Sequence, residues 1–148
     1  MSESRSPAEI IASRSVQRDF RKPIWRKFIA SVKNYGLIAP GDHIAVCVSG
    51  GKDSLLLAVC MRELSRYSDV PFTVSYLSMD PGYTPENRAR MIGNAQRLGF
   101  DPHVFDSPIF AAVDSVERGF CHICASMRRG YLYKEAQRLG CNKIALGH

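Results

Sequence analysis

The sequence lacks any apolar run long enough to cross a membrane, and no low-complexity tract interrupts its 148 residues. Residues 1–20, rich in Ser and Arg, also lack the continuous apolar core of a secretory signal. These absences argue against the membrane and secreted classes, so we expect a cytoplasmic protein with no membrane partner. The length has room for one hydrophobic core, and only residues 1–20 have a composition that favours disorder.

The chain has five cysteines, an odd count. An odd count in a chain of this class argues against a disulfide framework. Cys47 and Cys60 lie among apolar residues, so we expect both in the core. Cys121 and Cys124 form a C-x-x-C pair whose sulfurs can face one metal centre; a redox pair and two bystander thiols are the alternatives. Cys141 is expected to be a thiol in a loop or at a strand edge, with a third metal ligand as the alternative.

Acidic residues are outnumbered, since 14 Asp and Glu stand against 20 Lys and Arg and give a formal net charge of +6. Such an excess favours a polyanionic partner without identifying one. Much of it lies in residues 14–33, where basic residues are mixed with Phe20, Trp25 and Phe28. Two interpretations stay open: a solvated helix with an apolar stripe behind it, or a surface that faces RNA.

Short β-rich runs alternate with helical patterns along the chain. The runs cover residues 43–49, 72–79, 103–106 and 142–148, and the helical patterns cover 23–36, 54–67, 84–99 and 124–140. Helical patterns of this length between strands imply right-handed βαβ crossovers and a parallel sheet. We therefore predict an α/β fold with a parallel sheet and helices on both faces. A basic helical segment, residues 1–41, would precede the α/β domain of residues 42–148.

The stretch SGGKDS, residues 49–54, joins the first predicted strand to a helix. Backbone N–H groups and the positive end of a helix converge at such a junction, which is typical of a phosphate-binding site. Gly50 and Gly51 would permit backbone angles that a side chain forbids, and Lys52 would supply a mobile cation. The hydroxyl groups of Ser49 and Ser54 would donate hydrogen bonds to phosphate oxygens.

Two common nucleotide motifs do not fit this junction. A Walker A loop would have Gly in place of Val46 and Ser or Thr in place of Asp53, and the G-x-G-x-x-G spacing is also missing. Asp53 would either coordinate a metal ion or cap the helix, and a tight turn capped by Asp53 is the alternative for the whole junction. Asp80 follows the second strand at the edge where parallel sheets bind ligands. Arg128 and Arg129 face either solvent or the phosphates of a ligand.

SGGKDS resembles the signature of the PP-loop ATP pyrophosphatases, which cleave ATP between its α- and β-phosphates. Within that superfamily, CHICASMRRGYLY at residues 121–133 and NKIALGH at residues 142–148 are similar to the tRNA 2-thiocytidine synthetases. The resemblance runs from about Trp25 to the last residue. It implies the PP-loop fold and an ATP site. From its place at the carboxyl edge of the sheet, Asp80 or its neighbouring backbone would then touch the adenosine. The residues that match the family at the ATP phosphates are Ser49, Gly50, Gly51, Lys52, Asp53, Ser54, Gly147 and His148.

The resemblance further implies ATP-dependent thiolation of tRNA. The C2 oxygen of an anticodon-loop cytidine would be adenylated with the help of Lys52, Asp53 and Mg²⁺, and sulfur would then displace AMP. Cys121 and Cys124 would be two of three ligands of a [4Fe-4S] cluster that leaves one iron open for sulfur. The implied partners are tRNA and a sulfur donor, either a cysteine desulfurase or sulfide, and a homodimer is one assembly that the resemblance allows.

Gly147 and His148 match the start of a G-H-x-x-D-D motif. The chain is therefore expected to be the N-terminal portion of such a protein, with two carboxylates, a third cluster cysteine and a tRNA-binding part downstream. One alternative function is that of a tRNA thiouridine synthetase of the same superfamily. The other is a non-catalytic PP-loop module that only binds a nucleotide.

Overall fold

A computed structural model of the protein describes residues 5–49, 51–109 and 120–147, and for residues 120–125 it describes the backbone alone. The strands of these residues are β1 His43–Cys47, β2 Thr73–Asp80, β3 His103–Asp106 and β4 Lys143–Ala145. The α-helices are α1 Pro7–Arg14, α2 Arg26–Asn34, α3 Lys52–Tyr67, α4 Pro85–Arg97 and α5 Phe120–Arg138. Two short π-helical turns, Ser15–Asp19 and Arg21–Trp25, connect α1 to α2.

The four strands form one parallel sheet in the order β3-β2-β1-β4. Ile44 of β1 pairs with Val74 of β2 on one side and with Lys143 of β4 on the other. Because each parallel step needs a crossover, the helices between the strands are carried onto the faces of the sheet. The predicted α/β fold with a parallel sheet is confirmed.

Side chains of β1 alternate between the two faces, as the pleat of a strand requires. Ile44 and Val46 join the core cluster that contains residues of α3, whereas Ala45 and Cys47 pack on the other face in clusters with residues of α5. Val46 and Ala45 are both 0% exposed, so β1 is buried from solvent on both faces. Helices therefore cover both faces, as predicted.

The N-terminal helices pack on the face that α3 covers. Val16 and Trp25 are 5% and 6% exposed and belong to the same buried cluster as Ile44. The helix predicted from Pro23 instead begins as α2 at Arg26, with Pro23 inside the preceding π-helical turn. The proposed boundary between residues 41 and 42 stays a prediction.

The composition-based expectation of disorder is wrong for the described part of residues 1–20. Ser6 caps α1 by accepting a hydrogen bond from the Glu9 N–H at 3.1 Å. Ser13 then donates to the Glu63 carboxylate at 2.5 Å, and Arg66 pairs with Glu9 at 3.0 Å. These polar contacts hold α1 against α3 although the segment has few apolar residues, which is why composition alone misjudged it.

The amino ends of β1 and β4 are joined by a carboxylate. Asp42 Oδ1 accepts a hydrogen bond from Asn142 Nδ2 at 2.8 Å. Its Oδ2 accepts one from the Ala39 N–H at 2.8 Å and pairs with Lys143 Nζ at 2.6 Å. The Ala39 N–H, Lys143 and Asn142 together lower the pKa of Asp42 from 3.8 to about 2. Asp42 therefore stabilises the pairing of β4 through its ionised form.

None of the helices formed by the described residues combines the length and the apolar character needed to cross a membrane.

Candidate nucleotide-binding site

The strand order places a switch point beside β1. The chain moves from β1 to β2 and β3 on one side, and β4 then returns to pair with the opposite edge of β1. In open α/β sheets, ligands bind outside the carboxyl ends of the strands where the order reverses. The SGGKDS segment follows β1 at this point, and Leu146 and Gly147 follow β4 there.

The start of α3 is open for an anion. Gly51 occupies the N-cap position and no side chain caps the helix, so the N–H groups of Lys52 and Asp53 in its first turn have no side-chain acceptor among the described residues. Asp53 lies inside the first turn, so the alternative of a tight turn capped by Asp53 is wrong. Lys52 and Asp53 are both exposed. This arrangement is the one that sequence reasoning predicted for phosphate binding.

The two serines shape the loop from inside. The Ser54 hydroxyl accepts a hydrogen bond from the Ser49 N–H at 3.0 Å, lies 3.0 Å from Ser49 Oγ and donates to the Gly51 carbonyl at 3.0 Å. Ser54 is 2% exposed, whereas Ser49 is exposed. A direct contact of either serine with phosphate stays a prediction, but Ser54 already has a structural role.

Gly51 has ordinary backbone angles, φ −78° and ψ 157°, so the expectation that it needs a conformation closed to other residues is wrong. An added Cβ would meet only Ser49 Oγ, at 3.6 Å. The protein by itself would therefore accept a Cβ at residue 51. Gly50 lies outside the described residues.

Gly147 touches the start of α3. A Cβ on Gly147 would lie 2.8 Å from Ser54 Cα and 3.0 Å from the Asp53 carbonyl oxygen, which is too close for any side chain. The segment after β4 thus reaches the phosphate-loop helix only because residue 147 has no side chain. The structure brings together Gly147 and the SGGKDS segment as the family match implied, while His148 lies outside the described residues.

Asp80 is placed at the predicted edge, but its carboxylate is engaged. Its Oδ1 accepts hydrogen bonds from the Gly82 and Tyr83 N–H groups at 2.9 and 2.7 Å, and its Oδ2 pairs with Arg88 at 3.0 Å. Burial by itself would raise the pKa of Asp80, yet these hydrogen bonds outweigh it and lower the pKa. Arg88 also pairs with Asp106 at 2.5 Å, which ties the ends of β2 and β3 together. Contact of Asp80 with adenosine stays a prediction.

Arg128 lies close to the carboxyl ends of β1 and β2. It lines a small cavity of about 20 Å³ together with Ser49, Met79 and Tyr83, at the carboxyl ends of β1 and β2. Its Nε is buried and has no hydrogen-bond partner among the described residues. A buried unpaired guanidinium N–H is costly, so an acceptor from a ligand would stabilise it. The sequence could not distinguish Arg128 from Arg129, and Arg129 does not line this cavity.

Two of the cysteines lie in the core, and two lie in the part of α5 for which only the backbone is described. Cys47 and Cys60 are 6% and 3% exposed, which confirms both as core residues. Burial raises the pKa of Cys47 to about 12 and that of Cys60 to about 11. Cys121 and Cys124 lie in the helical backbone of α5, but their side chains are outside the described part of the chain. Among the side chains that are described, no group of three or more His, Cys, Asp or Glu is placed to hold a metal ion.

Cys141 cannot join the C-x-x-C pair. It follows the far end of α5 and precedes β4, and the part of α5 from Cys124 to Arg138 is about 21 Å long at 1.5 Å per residue. The alternative of Cys141 as a third ligand is therefore wrong, and the predicted thiol beside a strand is confirmed.

Curated tRNA-cytidine(32) 2-sulfurtransferases are similar to this chain. The protein of Geobacter sulfurreducens is 41% identical over 122 residues, which are 80% of this chain and 47% of the relative. The protein of Geotalea uraniireducens is 39% identical over 122 residues, 80% of this chain and 48% of the relative. That of Xanthomonas campestris pv. campestris is 37% identical over 124 residues, 80% of this chain and 40% of the relative.

The chain thus spans about half the length of the curated relatives it matches. No protein-family model matches it. The resemblance to the tRNA 2-thiocytidine synthetases, first seen in the SGGKDS and C-x-x-C segments, is confirmed by this similarity over most of the chain.

Proposed function

We propose that this chain, a relative of the tRNA-cytidine(32) 2-sulfurtransferases over part of their length, carries the ATP-binding part of a cytoplasmic enzyme that thiolates tRNA. The observation that carries the proposal is the uncapped start of α3, which meets the end of β4 at the switch point of the sheet. The first-turn N–H groups of α3 and Lys52 lie at this junction, and Arg128 lines a small cavity beside Ser49. The substrate class is taken from the names of the relatives.

The reaction needs two displacements. The C2 oxygen of cytidine is a poor leaving group, so it first attacks the α-phosphorus of ATP and pyrophosphate leaves. Sulfur at the oxidation level of sulfide then attacks C2, the C2–O bond breaks, and the oxygen leaves as part of AMP. Both steps build negative charge on phosphate oxygens, which preorganised N–H groups and cations stabilise.

The residues present fit ATP. The first-turn N–H groups of α3 would bind phosphate oxygens, and Gly51 leaves room for them to approach. Lys52 would neutralise the charge at the α-phosphate, and the unpaired Nε of Arg128 would donate to a phosphate oxygen. Asp53 is exposed, which suits a ligand of Mg²⁺, the ion that would neutralise the remaining phosphate charge.

The iron-sulfur cluster is proposed from the spacing of two cysteines, and the partners are proposed from the similarity to the relatives. Two cysteines at C-x-x-C spacing suit a [4Fe-4S] cluster, and a third ligand would come from the part of the relatives that this chain does not match. The proposed partners are tRNA and a sulfur donor, a cysteine desulfurase or sulfide. Loss of iron binding by a Cys121→Ala, Cys124→Ala variant reconstituted without oxygen would support the cluster, and retained iron would contradict it.

A second candidate is a nucleotide-binding module without catalysis. It would need only the open start of α3 and Lys52, which are described, whereas the side chains of Cys121 and Cys124 lie outside the described residues. Mass spectrometry of tRNA nucleosides separates the two, because an enzyme supplies 2-thiocytidine that disappears in a deletion strain and a bare module does not. Loss of a thiouridine instead would favour the related thiouridine synthetases.

The ATP part is tested by calorimetry with ATP and Mg²⁺. Lys52→Ala removes a charge-assisted contact of about 1.5–3 kcal/mol, so affinity should fall by about ten- to a hundredfold. Gly51→Val should also weaken binding, although the space around residue 51 lets the protein fold. Arg128→Gln should weaken binding and its neighbour Arg129→Gln should not. If Lys52→Ala, Gly51→Val and Arg128→Gln all bind ATP as the parent does, the proposed phosphate site is wrong.

A further inference from the structure

The positive charge of the chain is concentrated at its N-terminal end. Residues 1–34 contain eight Lys and Arg and three Asp and Glu, so they carry five of the six net positive charges. The remaining residues 35–148 are almost neutral, with twelve basic and eleven acidic side chains. Such an asymmetry is a physical indication of a polyanionic partner at one end of the molecule.

The cations of this region are available for such a partner. We call residues 14–27 the basic segment. Its basic side chains are all exposed, and none takes part in an ion pair among the described residues: Arg14, Arg18, Arg21, Lys22, Arg26 and Lys27. Asp19 is the single acidic residue of the segment. The acidic side chain of α1, in contrast, is used internally, since Glu9 pairs with Arg66.

An aromatic side chain stands in the middle of the segment. Phe20 lies between the two π-helical turns and remains 48% exposed, while Trp25 is buried in the core. An exposed ring next to cations is the combination with which proteins bind single-stranded RNA, because bases stack on the ring and phosphates pair with the cations.

The basic segment adjoins the phosphate loop. Phe20 and Ile24 line a surface cavity of about 380 Å³ together with Leu56 and Lys52, the loop lysine at the start of α3. Any RNA bound along the segment would therefore lie beside the lysine proposed to hold ATP.

We infer that the basic segment is the surface that receives substrate RNA, with phosphates on its cations and an unpaired base against Phe20. The inference rests on the proposed function, because a base that is adenylated must reach the α-phosphate held near Lys52. A nucleic acid fits better than an acidic protein, since the cations are distributed over the whole segment around one exposed ring.

The test compares two triple variants of the full chain in fluorescence anisotropy with an unmodified tRNA transcript. Arg18→Gln, Arg21→Gln, Lys22→Gln removes three cations of the basic segment. The matched control, Arg90→Gln, Arg97→Gln, Lys134→Gln, removes three exposed cations that form no ion pair among the described residues. We expect affinity to fall at least about tenfold in the first variant, its salt slope to decrease by about two, and the control to stay within about twofold.

Two further variants separate binding from folding. Arg18→Lys, Arg21→Lys keeps the charge and should keep most of the affinity. Phe20→Leu keeps the apolar contact in the cavity but removes the ring, so affinity should fall by about fivefold or more. If both triple variants lose the same affinity, or if the parent does not bind the transcript, the inference is wrong.

Two other measurements complete the design. Tighter binding to vesicles that contain phosphatidylserine than to the transcript would also overturn the inference, since the segment would then face a membrane surface. ATP calorimetry on the same proteins tests the proposed function separately. A basic-segment variant that loses RNA but keeps ATP supports the inference, whereas a parent that binds RNA but not ATP contradicts the proposed function alone.

Discussion

Replacing Gly147 by alanine should disturb the junction on which the proposed ATP site depends. The added Cβ would lie 2.8 Å from Ser54 Cα, whereas carbon atoms prefer a separation of about 3.5 Å or more. The neighbouring atoms at 3.0 and 3.1 Å are the Asp53 carbonyl oxygen and the Ser54 nitrogen, which are also backbone. No side-chain rotation can relieve the contact, so the end of β4 and the start of α3 must separate by about 0.7 Å.

This displacement has two measurable costs. Overpacking of this kind typically costs about 1–3 kcal/mol, which corresponds to a fall in Tm of about 3–10 °C for a chain of this size. The first-turn N–H groups of α3 would also move relative to bound phosphate. A loss of about 1.4 kcal/mol in their hydrogen bonds would weaken ATP affinity about tenfold. Thermal unfolding and calorimetry with ATP and Mg²⁺ measure the two effects.

Two other glycines provide controls for the added methyl group. A Cβ on Gly93 in α4 or on Gly130 in α5 would meet nothing within 4 Å. Alanine at either position should leave ATP binding unchanged and stabilise its helix by up to about 1 kcal/mol. A Gly147→Ala protein that melts and binds ATP like the parent would refute the close approach of β4 to α3. If it is destabilised but binds ATP normally, the nucleotide does not bind at this junction.

Three further predictions follow from buried polar and thiol groups. The pKa of Asp42 is lowered from 3.8 to about 2, so its stabilising contribution is complete above about pH 4 and lost as the pH falls towards 2. The difference in unfolding free energy between the parent and Asp42→Asn, measured by urea unfolding, should therefore shrink over that range. A constant difference would contradict the role given to Asp42. Ser13→Ala should destabilise the protein by about 1–3 kcal/mol, because Glu63 is 0% exposed and loses a donor, while Ser31→Ala on the exposed side of α2 should have little effect. The pKa of the Cys60 thiol is raised to about 11, so this thiol should resist iodoacetamide near neutral pH in the native protein and react after denaturation. Labelling of the native protein, detected by peptide mass spectrometry, would show that the core around Cys60 opens to solvent.

Much of the architecture was determined by local sequence patterns. The apolar run of β1 includes Val46 on one face and Ala45 on the other, so it requires burial on both faces and predicts a strand of a parallel sheet. The helical periods between strands then require crossovers, so the α/β class follows. The SGGKDS junction is also local, because strand, loop and helix start lie within a few residues of one another. The open helix start at Lys52 could therefore be predicted without any knowledge of distant contacts.

Tertiary structure alone decided which distant residues meet that junction. The order β3-β2-β1-β4 brings Gly147 against Ser54, a contact between residues far apart in sequence that no periodicity encodes. It also turns Arg128 towards Ser49 while the adjacent Arg129 does not line the cavity, a choice set by the packing of α5 on the sheet. Helix α1 could not be predicted from its own sequence either, because its stability comes from buried polar contacts with α3 and not from its own apolar residues. A short segment specifies its own conformation through neighbouring side chains, but its partners across the sheet are chosen by the crossovers, which depend on the whole chain.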